Sequence, residues 1–217
     1  MSQREDGFWQ TVAQGLVRRD FAWLQPLRGT VSDIVVFGCW DDGETDRQCR
    51  EAYALLRVLH ASRATVVDKE AAYIGNARAW YQEARAGQPK WFAGWVVEFV
   101  VSDMAGEAPE LRSNAYDLAY CSGVLFFMHS EPSKLQAAVN TMARVVSPGG
   151  WVIACEDPGL TSLFEGAGLL KADRLDGAPD YAYCYRKQVR RKGGSHYREV
   201  GHSREDRDRR DRRPGHE

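Results

Sequence analysis

The chain of 217 residues is long enough for one domain of ordinary size, and its hydrophobic fraction of 44% is sufficient for a buried core. The net charge of −1 combines a mildly acidic body with a basic end, because residues 186–217 carry twelve Lys and Arg against six Asp and Glu. Five cysteines without paired spacing argue against a disulfide framework or a metal site, and the sequence contains no apolar run that could cross a bilayer, so we expect a cytoplasmic protein with reduced thiols and no membrane partner.

The first predicted element is an amphipathic helix over residues 5–24, which ends before Pro26. Trp9 and Leu16 belong to its apolar face. Residues 1–30 are therefore predicted to form an N-terminal helical cover. This cover either closes the binding pocket or simply protects the core, and the sequence leaves both open.

A strand, a glycine turn and a helix follow. Residues 34–37 are an unbroken apolar run, as expected for a strand covered on both faces. Gly38 comes directly after it, where the backbone turns sharply or lets a ligand approach. Thr45 and Gln48 have the spacing of a capping box and predict the start of the helix. In α/β folds this arrangement builds a nucleotide-type pocket at the carboxyl end of the sheet.

The loop between this strand and helix is acidic. A dinucleotide would place its pyrophosphate at the start of the helix, where these carboxylates would repel it. The loop therefore disfavours a nicotinamide dehydrogenase and favours a cationic ligand without phosphate. Complementing the helix dipole is an alternative role for the last two acids. The four acids are Asp41, Asp42, Glu44 and Asp46.

Strands and helices then alternate, which predicts a parallel sheet with helices on both faces. The last two strands, 169–175 and 181–186, are separated by five residues, too few for a crossover, and are expected to form an antiparallel hairpin. The fold class is therefore α/β: a doubly wound, mainly parallel, seven-stranded sheet with a terminal antiparallel hairpin. The other predicted strands are 64–68, 96–103, 116–121 and 151–155, and the helices between them cover 70–86 and the residues from Pro132 onward.

Residues 188–217 contain almost no apolar side chains and are predicted to be a disordered charged tail. Basic and acidic residues alternate there, whereas a nucleic-acid arm is usually more purely basic. We therefore expect no nucleic-acid partner. The domain itself is predicted to span residues 31–187.

Several motifs in this order are similar to those of class I S-adenosylmethionine (SAM) dependent methyltransferases. They are the glycine turn, the strand-end acids Asp68 and Asp103, the strand that begins at Tyr116-Asp-Leu-Ala-Tyr, and the turn in Arg144-Val-Val-Ser-Pro-Gly-Gly. The resemblance covers roughly residues 31–186. It implies a Rossmann-like methyltransferase fold, SAM as the methyl donor, and an enzyme that methylates an acceptor.

The resemblance implies how the first two strand ends would hold SAM. Gly38, Cys39 and Trp40 would line its methionine part. Asp68 would accept hydrogen bonds from both ribose hydroxyls, and Lys69 would lie beside the adenine.

The next two strand ends would complete the pocket. Asp103 would accept a hydrogen bond from the adenine amino group, with Ser102 and Met104 flanking the ring. Cys121 and Ser122 would offer backbone groups near the sulfonium and the amino end of the ligand.

The acceptor side is expected to follow the fourth strand. His129 is a candidate general base, with an exposed structural histidine as the alternative. Phe126 and Phe127 stand where many family members have paired histidines, which suggests an apolar acceptor pocket. Glu156 and Asp157 are alternative acid or base candidates. Because no large insertion follows these strands, we expect a small-molecule acceptor.

The first loop departs from the family pattern. Val36 stands where the family usually has an acid, and Trp40 and Asp42 replace later glycines. These departures support a second reading, a non-catalytic protein that binds SAM or a nucleoside, or interacts with other proteins, through a methyltransferase fold. The sequence leaves the oligomeric state open, with a homodimer as one option.

Overall fold

The computed structural model describes residues 21–39, 50–87, 89–155 and 158–189. Most of the predicted helix over 5–24, the acidic loop with its capping box, and the charged tail from residue 190 lie outside these ranges. Among the described helices, none is long and apolar enough to cross a membrane.

Seven strands form one sheet in the order β3-β2-β1-β4-β5-β7-β6. Strands β1 to β5 run parallel to one another, whereas β7 runs antiparallel to both β5 and β6. The predicted fold class, a mainly parallel seven-stranded sheet with a terminal antiparallel pair, is confirmed. The strands are β1 (Asp33–Phe37), β2 (Arg63–Asp68), β3 (Val96–Val101), β4 (Tyr116–Ser122), β5 (Val146–Cys155), β6 (Leu169–Lys171) and β7 (Ala182–Lys187).

The helices cover both faces of this sheet because neighbouring residues of a strand point to opposite sides. Val36 of β1 packs in one core with residues of the first two helices and of the 3-10 segment Ala22–Leu27. Val35 and Phe37 pack in the second core with the last two helices. The helices are α1 (Arg50–Leu59), α2 (Ala71–Gly87), α3 (Pro132–Val145) and α4 (Thr161–Gly166).

Several predicted boundaries differ from the structure. The third strand, expected to end at Asp103, ends at Val101. Pro26, expected to follow a helix, lies inside the 3-10 segment. The Ser147–Gly150 turn, expected to precede the fifth strand, is part of β5, and the register with β4 shifts between Tyr116 and Leu118. Strand β6 contains three residues instead of seven. Local sequence signals mark turns well, but they do not show that a sheet continues through a bulge.

Candidate active site

The carboxyl ends of the parallel strands bring most of the predicted binding residues to one edge of the sheet. Gly38 follows β1, Asp68 ends β2, and Asp103 comes two residues after β3. Cys121 and Ser122 end β4, which pairs with β1. In open α/β sheets this edge is where ligands bind.

Asp68 joins the end of β2 to the glycine turn. Its Oδ2 accepts a hydrogen bond from the backbone N–H of Cys39 at 2.7 Å, and its Oδ1 accepts one from the N–H of Glu70 at 2.9 Å. Asp68 is half-buried and Lys69 is exposed. The carboxylate thus fixes the backbone after Gly38, and each oxygen keeps a lone pair for another donor.

Gly38 allows the first turn to pack closely against the loop after β4. Its φ is +93°, a conformation that favours glycine, and its N–H donates to the carbonyl of Val67 at 2.8 Å. A Cβ on Gly38 would lie 2.3 Å from Cγ2 of Val124. The close approach that the glycine permits is therefore a contact within the protein.

The residues after β3 form a compact turn. Ser102 is buried, and its hydroxyl donates to Oε2 of Glu110 at 2.9 Å. Asp103 is exposed, and its Oδ1 accepts from the N–H of Ala105 at 2.9 Å. The side chain of Met104 is buried in the core on the α3 side of the sheet. Of these residues, Asp103 therefore offers an exposed carboxylate at the edge.

At the end of β4, Cys121 is fully buried, whereas Ser122 is only partly buried and belongs to a polar network. The Ser122 hydroxyl donates to the carboxylate of Glu51, in the first turn of α1. It also bonds to the hydroxyl of Tyr120, which lies 3.5 Å from Sγ of Cys155. Burial raises the pKa of Glu51 to about 7 and also raises the pKa of Tyr120.

Glu51 is not among the site residues predicted from the sequence, although its spacing carries a signal. Glu51, Leu55 and Val58 are spaced as i, i+4 and i+7, which places them on one face of a helix. Leu55 and Val58 are buried in the core. An acid that continues a buried apolar stripe is therefore a candidate for a functional carboxyl group.

The acceptor candidates occupy a 3-10 segment, Leu125–Met128. Leu125 is buried and anchors it, whereas Phe126 and Phe127 are 65% and 61% exposed. Their ring centroids are 5.8 Å apart. The exposed His129 lies directly after the segment, with its ring 5.8 Å from that of Phe126. These three side chains form an aromatic rim close to the end of β4.

Several predicted residues cannot be placed in this geometry. Trp40, Glu156 and Asp157 lie outside the described residues, together with the acidic loop. Within the described ranges, no group of three or more His, Cys, Asp and Glu residues is arranged to hold a metal ion.

Comparisons with known proteins agree with this architecture. A family model for the methyltransferase domain matches residues 47–154, about half of the chain. The chain belongs to the class I SAM-dependent methyltransferases. The matched region of this methyltransferase runs from just before α1 nearly to the end of β5, so it contains Glu51, Asp68, Asp103, Ser122 and His129.

Solved structures extend the comparison to the whole domain. The N-methyltransferase NodS from Bradyrhizobium japonicum WM9 has a TM-score of 0.51 and 16% identity, over 84% of this chain and 98% of its own. A SAM-dependent methyltransferase from Methanosarcina mazei has a TM-score of 0.53 and 13% identity, over 76% and 97%. The 4+2 cyclase SpnF has a TM-score of 0.51 and 16% identity, over 82% and 80%. At these identities the likeness shows the fold. No curated protein sequence matches the chain.

Proposed function

We propose that this methyltransferase binds SAM at the carboxyl edge of its sheet and methylates a small-molecule acceptor. The observation that carries the proposal is the position of Asp68, whose carboxylate ends β2 and is held against the Gly38 turn by the N–H of Cys39. A carboxylate fixed in this way is preorganised to accept hydrogen bonds from two ribose hydroxyls. NodS, which shares the fold, has been solved in complex with S-adenosylhomocysteine (SAH).

The described residues fit a cationic ligand without phosphate. Asp68 and Asp103 bring two carboxyl groups to this edge, where a phosphate would be repelled, and Glu51 adds a third carboxyl group beside Ser122. When bound, SAM supplies an electrophilic methyl group on a positively charged sulfur. Asp103, exposed beside the buried Ser102 and Met104, is proposed to accept from the adenine amino group, and Lys69 is proposed to lie beside the adenine.

The aromatic rim is proposed to hold the acceptor. Phe126 and Phe127 offer exposed apolar surface that suits a flat or apolar molecule. His129, beside Phe126, is proposed to take up the proton that the acceptor loses on methylation. The connection between β4 and α3, residues 123–131, is short, which favours a small acceptor.

A titration of SAM and SAH by calorimetry tests the proposal. Wild-type protein is expected to bind both, and Asp68→Ala is expected to weaken both by about tenfold or more, because a hydrogen bond to a charged group is worth roughly 1.5–3 kcal/mol. Asp173→Ala, which removes an exposed carboxylate of the loop between β6 and β7, is the matched control and should bind like wild type. Circular dichroism checks that the Asp68 variant, which also loses an acceptor for Cys39, is folded. Unchanged affinity in folded Asp68→Ala would refute the ribose contact, and no binding of either ligand by wild type would refute the proposal.

The second candidate is a protein that binds SAM without transferring its methyl group. It is favoured by Val36, an apolar residue buried in the sheet where the family usually has an acid. Incubation with methyl-labelled SAM and a panel of small aromatic amines, phenols and carboxylic acids separates the two candidates. Label in any acceptor supports the enzyme, whereas binding with no transfer across the panel favours the second candidate.

A further inference from the structure

A row of hydrogen-bonded polar side chains crosses the carboxyl edge from α1 to β5. It begins at the Glu51 carboxyl, which receives a hydrogen bond from Ser122. The Ser122 hydroxyl is bonded in turn to Tyr120, and the Tyr120 hydroxyl lies 3.5 Å from the thiol of Cys155. This row of side chains ends where β4 and β5 lie side by side, since Ser122 pairs with Cys155. Glu51 therefore reaches the part of the edge where β4 ends.

The surroundings of Glu51 disfavour its ionised form. Burial is the main cause of its raised pKa of about 7, and the hydrogen bond from Ser122 only partly offsets it. Within the described part of the chain, the titratable groups that face it are Tyr120 of β4 and, beyond it, Cys155 of β5, and both are neutral or anionic. Among the described residues, no Lys, Arg or His contributes to the shift.

A carboxyl group whose ionised form is disfavoured by burial lowers stability when it is charged, and groups with such shifted pKa values are often found at sites that bind ligands. A cation brought by a ligand would favour the carboxylate. The resemblance to the family implies that the positively charged sulfur of SAM lies near the end of β4, where Ser122 contacts Glu51. After methyl transfer that sulfur is neutral in SAH, so it no longer favours an ionised carboxyl group.

We propose that Glu51 faces the sulfonium of SAM as a carboxylate, so that the protein takes up SAM with release of a proton and thereby distinguishes SAM from SAH. This inference rests on the proposed SAM site. It makes Glu51 a residue that determines ligand specificity, and Ser122 the residue that positions it.

Two measurable consequences follow for the unliganded protein, in which the Glu51 pKa is about 7. If only the ionised form binds SAM well, the affinity rises about tenfold between pH 6 and pH 8. At pH 6.5, binding releases about three quarters of a proton from Glu51. SAH lacks the sulfonium charge, and its binding should show neither effect from this residue.

The experiment is calorimetric titration of SAM and SAH at pH 6, 6.5, 7 and 8, repeated in buffers of different ionisation enthalpy to count protons. It compares wild type with Glu51→Gln, which keeps the size of the side chain and an oxygen for Ser122. The α-amino group of each ligand also titrates in this range, but the variant retains that contribution, so the difference between the two proteins isolates Glu51. Glu83→Gln, an exposed change on α2, is the matched control.

The expected result is proton release with SAM that exceeds the release in Glu51→Gln by about three quarters of a proton at pH 6.5, with no such excess for SAH. The preference for SAM over SAH at pH 8 should fall by about tenfold in the variant. Equal excess release with both ligands, or indistinguishable behaviour of wild type and variant, would overturn the inference and leave the proposed function intact. No binding of either ligand by wild type would overturn both.

Discussion

At the scale of single residues, Asp68 combines a structural contact with the proposed ligand contact. The sequence predicts an acid at the carboxyl end of β2 because a short apolar run ends in Asp68. It does not reveal that Cys39 and Glu70 donate backbone hydrogen bonds to that carboxylate at 2.7 and 2.9 Å. The partners of a side chain depend on how distant segments fold together, and a strand pattern contains no such information.

Glu51 gives a prediction about stability without any ligand. Its pKa is raised from 4.5 to about 7 by burial, so between these values the folded protein holds a proton that the unfolded chain releases. The free energy of unfolding should therefore decrease as the pH rises from about 4.5 to 7, by up to about 3 kcal/mol from this group, and level off above pH 7. Urea denaturation of wild type and Glu51→Gln at pH 5, 6, 7 and 8 measures the effect.

In that series the variant lacks the titrating group, so the stability of wild type relative to Glu51→Gln should fall steadily from pH 5 to pH 7. Parallel pH profiles would show that Glu51 is not buried enough to shift its pKa. The helical spacing of Glu51 with Leu55 and Val58 places it on the buried face of α1, but the spacing does not show which groups surround it. The neighbours of Glu51, Tyr120 and Ser122, come from β4, about seventy residues further along the chain.

At the scale of elements, strands and helices were predicted well where hydrophobic periodicity is strong, as in β1, β2 and α3. The predictions were less accurate at the ends of strands. Strand β5 includes Pro148 and Gly150 because the sheet continues through an irregular pairing with β4. A Cβ on Gly150 would lie 2.9 Å from the carbonyl oxygen of Asp117, so a glycine that resembles a turn signal instead permits two strands to approach closely.

The contact between the β1 turn and the loop after β4 gives the second stability prediction. Gly38→Ala adds a Cβ that would lie 2.3 Å from Cγ2 of Val124, at a backbone φ of +93°. We expect a loss of about 3 kcal/mol in the free energy of unfolding, from overpacking and backbone strain together. Val124→Ala removes the clashing methyl groups and leaves the Val124 Cβ position 3.8 Å away, so the double variant should recover the part due to overpacking.

A double-mutant cycle by urea denaturation measures this coupling. The expected interaction between the two sites is about 1–2 kcal/mol in favour of the double variant. Gly75→Ala, on the exposed face of α2 with no atom near the added Cβ, is the control and should be neutral or stabilising. Strictly additive effects at Gly38 and Val124 would show that backbone strain alone accounts for the cost.

At the scale of the whole molecule, the last described strand, β7, packs into both cores, which lie on opposite faces of the sheet. The family match ends before this hairpin, yet β7 contributes Cys184 to one core and Tyr185 to the other. The sequence predicted the hairpin from the short connection between two apolar runs. It could not predict that Lys187, at the end of β7, reaches across to the junction of α3 and β5.

Lys187 provides the last prediction. Its Nζ donates to the carbonyl oxygens of Ala143 and Val146 and to Oδ1 of Asn114, each at 2.7 Å, and burial lowers its pKa, followed by the effect of Arg144. Lys187→Met leaves these acceptors without their charged donor and should lower the free energy of unfolding by about 2–4 kcal/mol. Lys134→Met is the matched control. It removes an exposed ion pair with Glu131 that solvent screens, so its stability should stay close to that of wild type.

Deletion of residues 190–217 completes this experiment, because it retains β7 and removes the segment predicted from its composition to be disordered. Urea denaturation should give the truncated protein the stability of the full chain, within about 0.5 kcal/mol, and Lys187→Met should destabilise both to the same extent. If truncation alone cost as much as Lys187→Met, the tail would contribute to the folded domain and the predicted boundary at residue 187 would be wrong. If Lys187→Met cost no more than Lys134→Met, the hydrogen bonds of Lys187 would contribute little to the stability of the domain.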